Sequence, residues 1–122
     1  MQQKSQMRTL QINEYIMNNY NQPISLKSLA DTLYLSEGYL SRYLKKIYNM
    51  SFSAYLRQVR LSHAMSELLY TNKAILQIAL DNGFSSISFL IRCLRKNMES
   101  LHLMFEIVRR KWKKEEIWIL WS

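Results

Sequence analysis

Apolar side chains along the chain recur mostly at steps of three and four residues, the spacing of a helix face. From about Met7 to Asn19, the positions Leu10, Ile12, Tyr15, Ile16 and Tyr20 mark a first amphipathic helix, which Asn21-Gln22-Pro23 ends. Ser25 is placed to cap a short helix from Leu26 to about Leu33 that buries Leu26, Leu29, Ala30 and Leu33. Ser36 caps the next helix, about Glu37 to Tyr48, and Glu37 sits in its first turn, where the helix dipole favours a negative charge. That helix has two faces: Leu40, Tyr43, Leu44 and Ile47 are apolar, while Ser41, Arg42, Lys45 and Lys46 are polar and positive. Ser51 or Ser53 opens a longer helix to about Tyr70, with Tyr55, Val59, Ala64, Leu68 and Leu69 inward and Arg57 and Arg60 outward. A second short helix, roughly Lys73 to Asp81, carries Ile75, Ile78 and Ala79 and stops at Asn82-Gly83, where glycine suits a left-handed end. Phe84 belongs to the core, and Ser85, Ser86 and Ser88 offer caps for a last helix beginning near Ser86–Ser88.

The order of short helix, tight turn and basic amphipathic helix occurs twice. Ala30 and Ala79 are 49 residues apart, as are Leu29 and Ile78, and Leu35 and Phe84. After one extra residue in the second turn, Arg42 and Arg92, Leu44 and Leu94, Lys45 and Arg95, and Lys46 and Lys96 are 50 apart. A register held across both helices describes two helix-turn-helix units joined by the long middle helix.

Composition supports an all-helical domain. The chain has 122 residues, 48% hydrophobic, with 2 Gly and 1 Pro, so it lacks the turn residues that a sandwich or barrel requires. Gly38 and Gly83 stand too far apart for a phosphate loop or a dinucleotide fingerprint. Cys93 is the one cysteine and His63 and His102 are the two histidines, which leaves no disulfide framework, no metal site and no cofactor to expect. Cys93 and His63 are read as packing or surface residues, and Tyr39 as half-core. No catalytic constellation is found. Lys and Arg number 17 against 9 acidic residues, a net charge of +8, which favours a polyanionic partner. No apolar run reaches the roughly 18–20 residues of a membrane span, and MQQKSQMRTLQ lacks a signal-peptide core. The expectation is a soluble, cytoplasmic protein with no membrane partner.

A helix-turn-helix lays its second helix in the major groove and packs the first across it. Ser41 and Arg42 are placed to reach base edges, arginine on guanine being the commonest specific contact. Lys45 and Lys46 are better placed for phosphates, which give affinity rather than sequence reading.

On these residues the chain resembles the C-terminal DNA-binding domain of the AraC/XylS family of bacterial transcription regulators. The resemblance is carried by Ser-Leu-Lys-Ser-Leu-Ala (25–30), Leu-Ser-Glu-Gly-Tyr-Leu-Ser-Arg-Tyr-Leu-Lys-Lys (35–46), Met-Ser-Phe-Ser-Ala-Tyr-Leu (50–56), Arg-Leu-Ser-His-Ala (60–64) and Ile-Ala-Leu-Asp-Asn-Gly-Phe (78–84). It implies recognition helices placed in successive major grooves, reading bases through Gly38, Ser41 and Arg42 in the first helix and Ser88, Ile91 and Arg92 in the second. Gly38 offers backbone only, and Arg95 joins the second helix's DNA-facing set. RNA polymerase is a further partner that the resemblance implies. The resemblance also implies an effector-binding or dimerising domain, for which this chain has no room. The linker-like start favours a C-terminal piece of a longer regulator over a stand-alone one. The competing class is a basic amphipathic module for a membrane surface or a protein, and a non-functional remnant is a further alternative.

The family pattern breaks after Phe89: its Gly is replaced by Glu99, its Pro by His102 and its final Arg by Glu106. Reverse translation of residues 89–106 with one T inserted in codon 90 reads Phe-Phe-Asn-Lys-Val-Phe-Lys-Lys-Glu-Tyr-Gly-Ile-Ser-Pro-Ser-Asp-Val-Arg, the family ending in full. The expectation is a one-nucleotide deletion near codon 90 that puts everything after it out of frame, with residues 1–98 still covering the double helix-turn-helix domain and residues 99–122 a basic, Trp-rich tail. That tail is helical or disordered, and Met104, Phe105, Trp112 and Trp118 would give it an aggregation-prone surface.

Overall fold

The computed structural model describes residues 2–97 and Glu106. Six helices follow in order: α1 Gln2–Asn19, α2 Leu26–Leu33, α3 Glu37–Tyr48, α4 Phe52–Tyr70, α5 Ile75–Asp81 and α6 Ile87–Asn97, with no strand among the described residues. The expectations for residues 99–122, the exposed aromatic tail included, lie outside the described residues apart from Glu106, which is helical. The chain divides between Val59 and Arg60 into two units, each with its own core.

In the first unit, Ile12 and Ile16 of α1 meet Leu29 and Ala30 of α2, Leu40 and Leu44 of α3, and Phe52, Leu56 and Val59 of α4. The helix starts are set by serine hydroxyls. Ser25 accepts from the Ser28 backbone N–H at 3.1 Å while Ser28 Oγ accepts from the Ser25 N–H at 2.9 Å, a reciprocal cap. Ser36 Oγ accepts from the Tyr39 N–H at 3.2 Å and so starts α3. Ser51, rather than Ser53, caps α4 by accepting from the Ala54 N–H at 3.2 Å. Tyr48 stacks on Tyr55 with ring centroids 3.8 Å apart and donates its hydroxyl to Asn13 Oδ1. Burial, and then the neighbouring Tyr55, push the Tyr48 phenol well above its ordinary range.

In the second unit, Leu61, Ala64 and Leu68 of α4 pack with Ile75, Ile78 and Ala79 of α5, with Phe84, and with Leu90, Cys93 and Leu94 of α6. The α5 helix starts two residues later than its sequence suggests, behind Ala74, which makes no side-chain cap. Lys73 is engaged elsewhere: its ammonium meets Glu67 Oε2 at 3.0 Å and Asp81 Oδ2 at 2.6 Å. Asn82, the buried polar residue of this core, donates to the same Glu67 oxygen at 3.1 Å and to the Ile78 carbonyl at 2.8 Å. Arg60, expected to point outward, is half-buried and lies against Gly83. It can do so because glycine carries no side chain there. Burial lowers its guanidinium pKa from the ordinary value.

The two short-helix turns share one backbone solution. The Leu35 N–H reaches the Ala30 carbonyl at 2.9 Å, and the Phe84 N–H reaches the Ala79 carbonyl at 2.9 Å. Both turns pass through the left-handed region, with φ +59° at Tyr34 and φ +89° at Gly83. Tyr34 is 95% exposed, so its side chain gains little packing in return for that backbone. A left-handed L-residue costs roughly 1–2 kcal/mol, and glycine returns part of it as unfolded-state entropy, so Tyr34→Gly is expected to stabilise the first unit by about 0.5–1 kcal/mol. Urea unfolding checks this; a loss of stability would mean that the tyrosine ring makes a contact worth more than the strain.

Candidate nucleic-acid interface

The α3 helix presents the more complete candidate surface. Leu40 and Leu44 hold it to the core, and Gly38, Arg42, Lys45 and Lys46 are exposed. At about 100° per residue these four fall on the arc opposite the buried leucines. Arg42 folds back over the first turn, its Nη1 3.5 Å from where a Cβ on Gly38 would stand. Among the described residues, no ion pair uses Arg42, Lys45 or Lys46. Three cations therefore face outward without carboxylate neutralisation, the arrangement that attracts phosphate. Ser41 is half-buried and lies at the rim of this arc.

The α6 helix repeats the plan. Ser86 Oγ accepts from the Phe89 N–H at 3.1 Å, and Ser88, Arg92, Arg95 and Lys96 are exposed. Counted from the caps Ser36 and Ser86, Arg42 matches Arg92, Lys45 matches Arg95, and Ser41 matches Ile91. Ile91 is a correction. Expected to face the groove, it is 5% exposed. The reason is positional: it follows Leu90 and precedes Leu94 by one turn, which puts it on the edge of the buried arc, as the half-buried Ser41 already indicates. It is withdrawn from the DNA-facing set. Leu90, Cys93 and Leu94 fill the core of the second unit, so residues 90–97 fold as its closing helix.

Sequence reasoning missed Arg8. Its Nη1 donates to Tyr39 Oη at 2.6 Å, and its guanidinium lies 5.4 Å from the Tyr39 ring centroid and 5.7 Å from that of Tyr43. A signal was present: within one turn Arg8 has Lys4, Ser5, Gln11 and Ile12 and no acid. His63 is exposed and Cys93 is buried. Among the described residues no group of three His, Cys, Asp or Glu side chains could hold a metal ion, and no helix is long and apolar enough to cross a membrane.

Comparisons with known proteins bear on the fold and the family. A family model described as a helix-turn-helix domain matches residues 29–101. The bifunctional transcriptional activator/DNA repair enzyme AdaA of Bacillus subtilis is 36% identical over 85 residues, which are 70% of this chain and 40% of that protein. The chain thus spans well under half the length of that relative. The structure of an AraC-type DNA-binding-domain transcriptional regulator from Chromobacterium violaceum superposes with a TM-score of 0.73 at 26% identity, covering 85% of this chain and 95% of that one. The C-terminal domain of AraT, a response regulator from Geobacillus stearothermophilus, gives a TM-score of 0.71 at 29% identity over 76% of this chain and 78% of that one. A repeated, capped helix-turn-helix and a family match over more than half the residues lead to one conclusion: the chain belongs to the AraC-type family of helix-turn-helix transcription regulators.

Proposed function

We propose that the chain is a sequence-specific regulator domain that binds duplex DNA through the exposed face of α3, assisted by α6. The observation that carries this reading is the face itself: Arg42, Lys45 and Lys46 exposed, without carboxylate partners among the described residues, on a helix fixed by a separate buried stripe. Arg42 reads base edges and Gly38 allows close approach of the backbone. Ser41 contributes from the rim, while Lys45 and Lys46 hold phosphates. In α6, Ser88, Arg92 and Arg95 take the corresponding roles. The net charge of +8 supplies the long-range attraction. On this reading the domain acts in the cytoplasm, by binding and not by bond-making, with RNA polymerase as a further partner. The repair activity in AdaA's name is not carried over, since the match is to the helix-turn-helix part.

The test compares variants on a selected operator and on random duplex. Arg42→Ala is expected to cost about 1–3 kcal/mol at the operator and to relax the preference for one base pair, while Lys45→Ala weakens both DNAs alike. Equal losses on both DNAs for Arg42→Ala would remove it from base reading. Tighter binding to anionic vesicles than to random duplex at matched salt would replace the DNA reading with a membrane-surface one.

A further inference from the structure

Arg8 is a cation held in place by neutral groups. Two tyrosines one turn apart on α3 present their rings to it, with centroids 6.1 Å from each other and planes within 21°. One guanidinium N–H is committed to Tyr39 Oη, and Thr9 Oγ1 shares a hydrogen bond with Tyr43 Oη at 3.0 Å, which fixes the second ring. An arginine in such a seat has lost part of its hydration and its rotamer freedom before any ligand arrives, yet four of its five donors remain uncommitted to this bond. No ion pair among the described residues involves it. Tyr39, Tyr43 and Lys46 follow at steps of four and three, so they share one flank of α3, which Lys46 joins to the outward arc. Tyr39, Tyr43 and Lys46 also line an open groove between α1 and α3. A guanidinium pre-oriented on α1 by the two tyrosine rings, and an exposed ammonium on the same flank of α3 as those rings, fit an oxyanion that runs parallel to the recognition helix.

We infer that Arg8 is a DNA-phosphate contact carried on α1, gripping the backbone at the flank of the groove that α3 reads, with Lys46 alongside. The Tyr39 hydroxyl, which accepts from Arg8, keeps its own proton to donate to the same phosphate. Tyr39 and Tyr43 are positioning residues: they hold the guanidinium at a set distance from α3, so that α1 and α3 engage one duplex together. The inference rests on the DNA-binding reading above and extends it to a helix outside the helix-turn-helix.

The experiment measures the binding constant of the whole chain for operator and random duplex across a salt series. Four proteins are compared: the parent chain, Arg8→Gln, Arg8→Lys and Tyr39→Phe. Loss of one phosphate contact should make the log–log salt slope of Arg8→Gln shallower by about 0.9 on both DNAs, with affinity falling about five- to tenfold near 0.1 M salt. Arg8→Lys should keep the parent slope, and Tyr39→Phe should weaken binding at a nearly unchanged slope. Circular dichroism melts of the same proteins separate folding from contact. An Arg8→Gln slope equal to the parent's, with or without a lowered melting point, overturns the inference while leaving the DNA reading intact. A parent chain that binds no duplex in a salt-dependent way overturns both. A slope change seen only with phosphatidylglycerol vesicles assigns the seat to lipid and overturns it as well.

Discussion

Alanine in place of Gly83 is expected to lower the stability of the second unit by about 2–3 kcal/mol, from two separable causes. The first is backbone: φ at Gly83 is +89°, where an L-residue is strained by roughly 1–2 kcal/mol. The second is steric: a Cβ there would stand 2.7 Å from Arg60 Nε and 3.2 Å from its Cδ and Cζ. Arg60 is half-buried, so its stem must leave packed surroundings to make room. Urea unfolding of Gly83→Ala, alone and combined with Arg60→Ala, divides the effect. With Arg60 shortened, the remaining penalty should be about 1–2 kcal/mol, the backbone part. Equal penalties in both backgrounds would show that Arg60 yields freely and that the turn geometry alone sets the cost.

Leu40→Ala should be the more damaging change, at about 2–5 kcal/mol, because Leu40 is fully buried and its removal leaves a cavity on top of the lost transfer energy. Domains of ordinary stability have about 5–15 kcal/mol in all, so the variant should sit near its unfolding threshold. The functional consequence is specific. With Leu44, Leu40 is the buried anchor of α3, so operator binding should fall together with the fold of the first unit and recover as temperature is lowered. Leu40→Met conserves most of the volume and should cost less than about 1.5 kcal/mol while leaving DNA binding in place. Loss of binding in Leu40→Met at parent-like stability would mean that α3 must be held to a tighter tolerance than volume alone provides.

Much of this architecture was legible because its boundaries are written in side chains with one strong local preference. Ser25, Ser36 and Gly83 each announce a helix end, and α2, α3 and α4 have the bounds or near-bounds that the periodicity predicts. The extra turn of α1 was hidden because Gln-Gln-Lys-Ser-Gln has no apolar period, although α1 begins there at Gln2. Leu10, counted in the apolar stripe of that helix, is 65% exposed, since the buried line runs through Ile12 and Ile16. Arg60 was misread as outward because a charged residue advertises solvent, whereas its side chain lies against Gly83, 23 residues on. The left-handed Tyr34 was hidden because a tyrosine does not signal that backbone, and only its register with Gly83 could have shown it. At the candidate site, Arg42, Lys45 and Lys46 followed from helical phase alone. Ile91 and Arg8 did not: one lies at the boundary of the buried arc, and the other depends on a contact 31 residues away in sequence.

The serine caps have a consequence for how this domain tolerates change in length. The stretch from Ala79 to its cap Ser86 is one residue longer than that from Ala30 to Ser36, yet Arg42 and Arg92 each lie six positions beyond their caps. The added residue is absorbed upstream of the hydroxyl, and the phase of everything downstream is kept. An insertion on the far side of the same hydroxyl would turn the outward face by about 100° and exchange cations for leucines. Ser36 and Ser86 thus act as origin marks: neither needs to meet a base for its position to decide which side chains can.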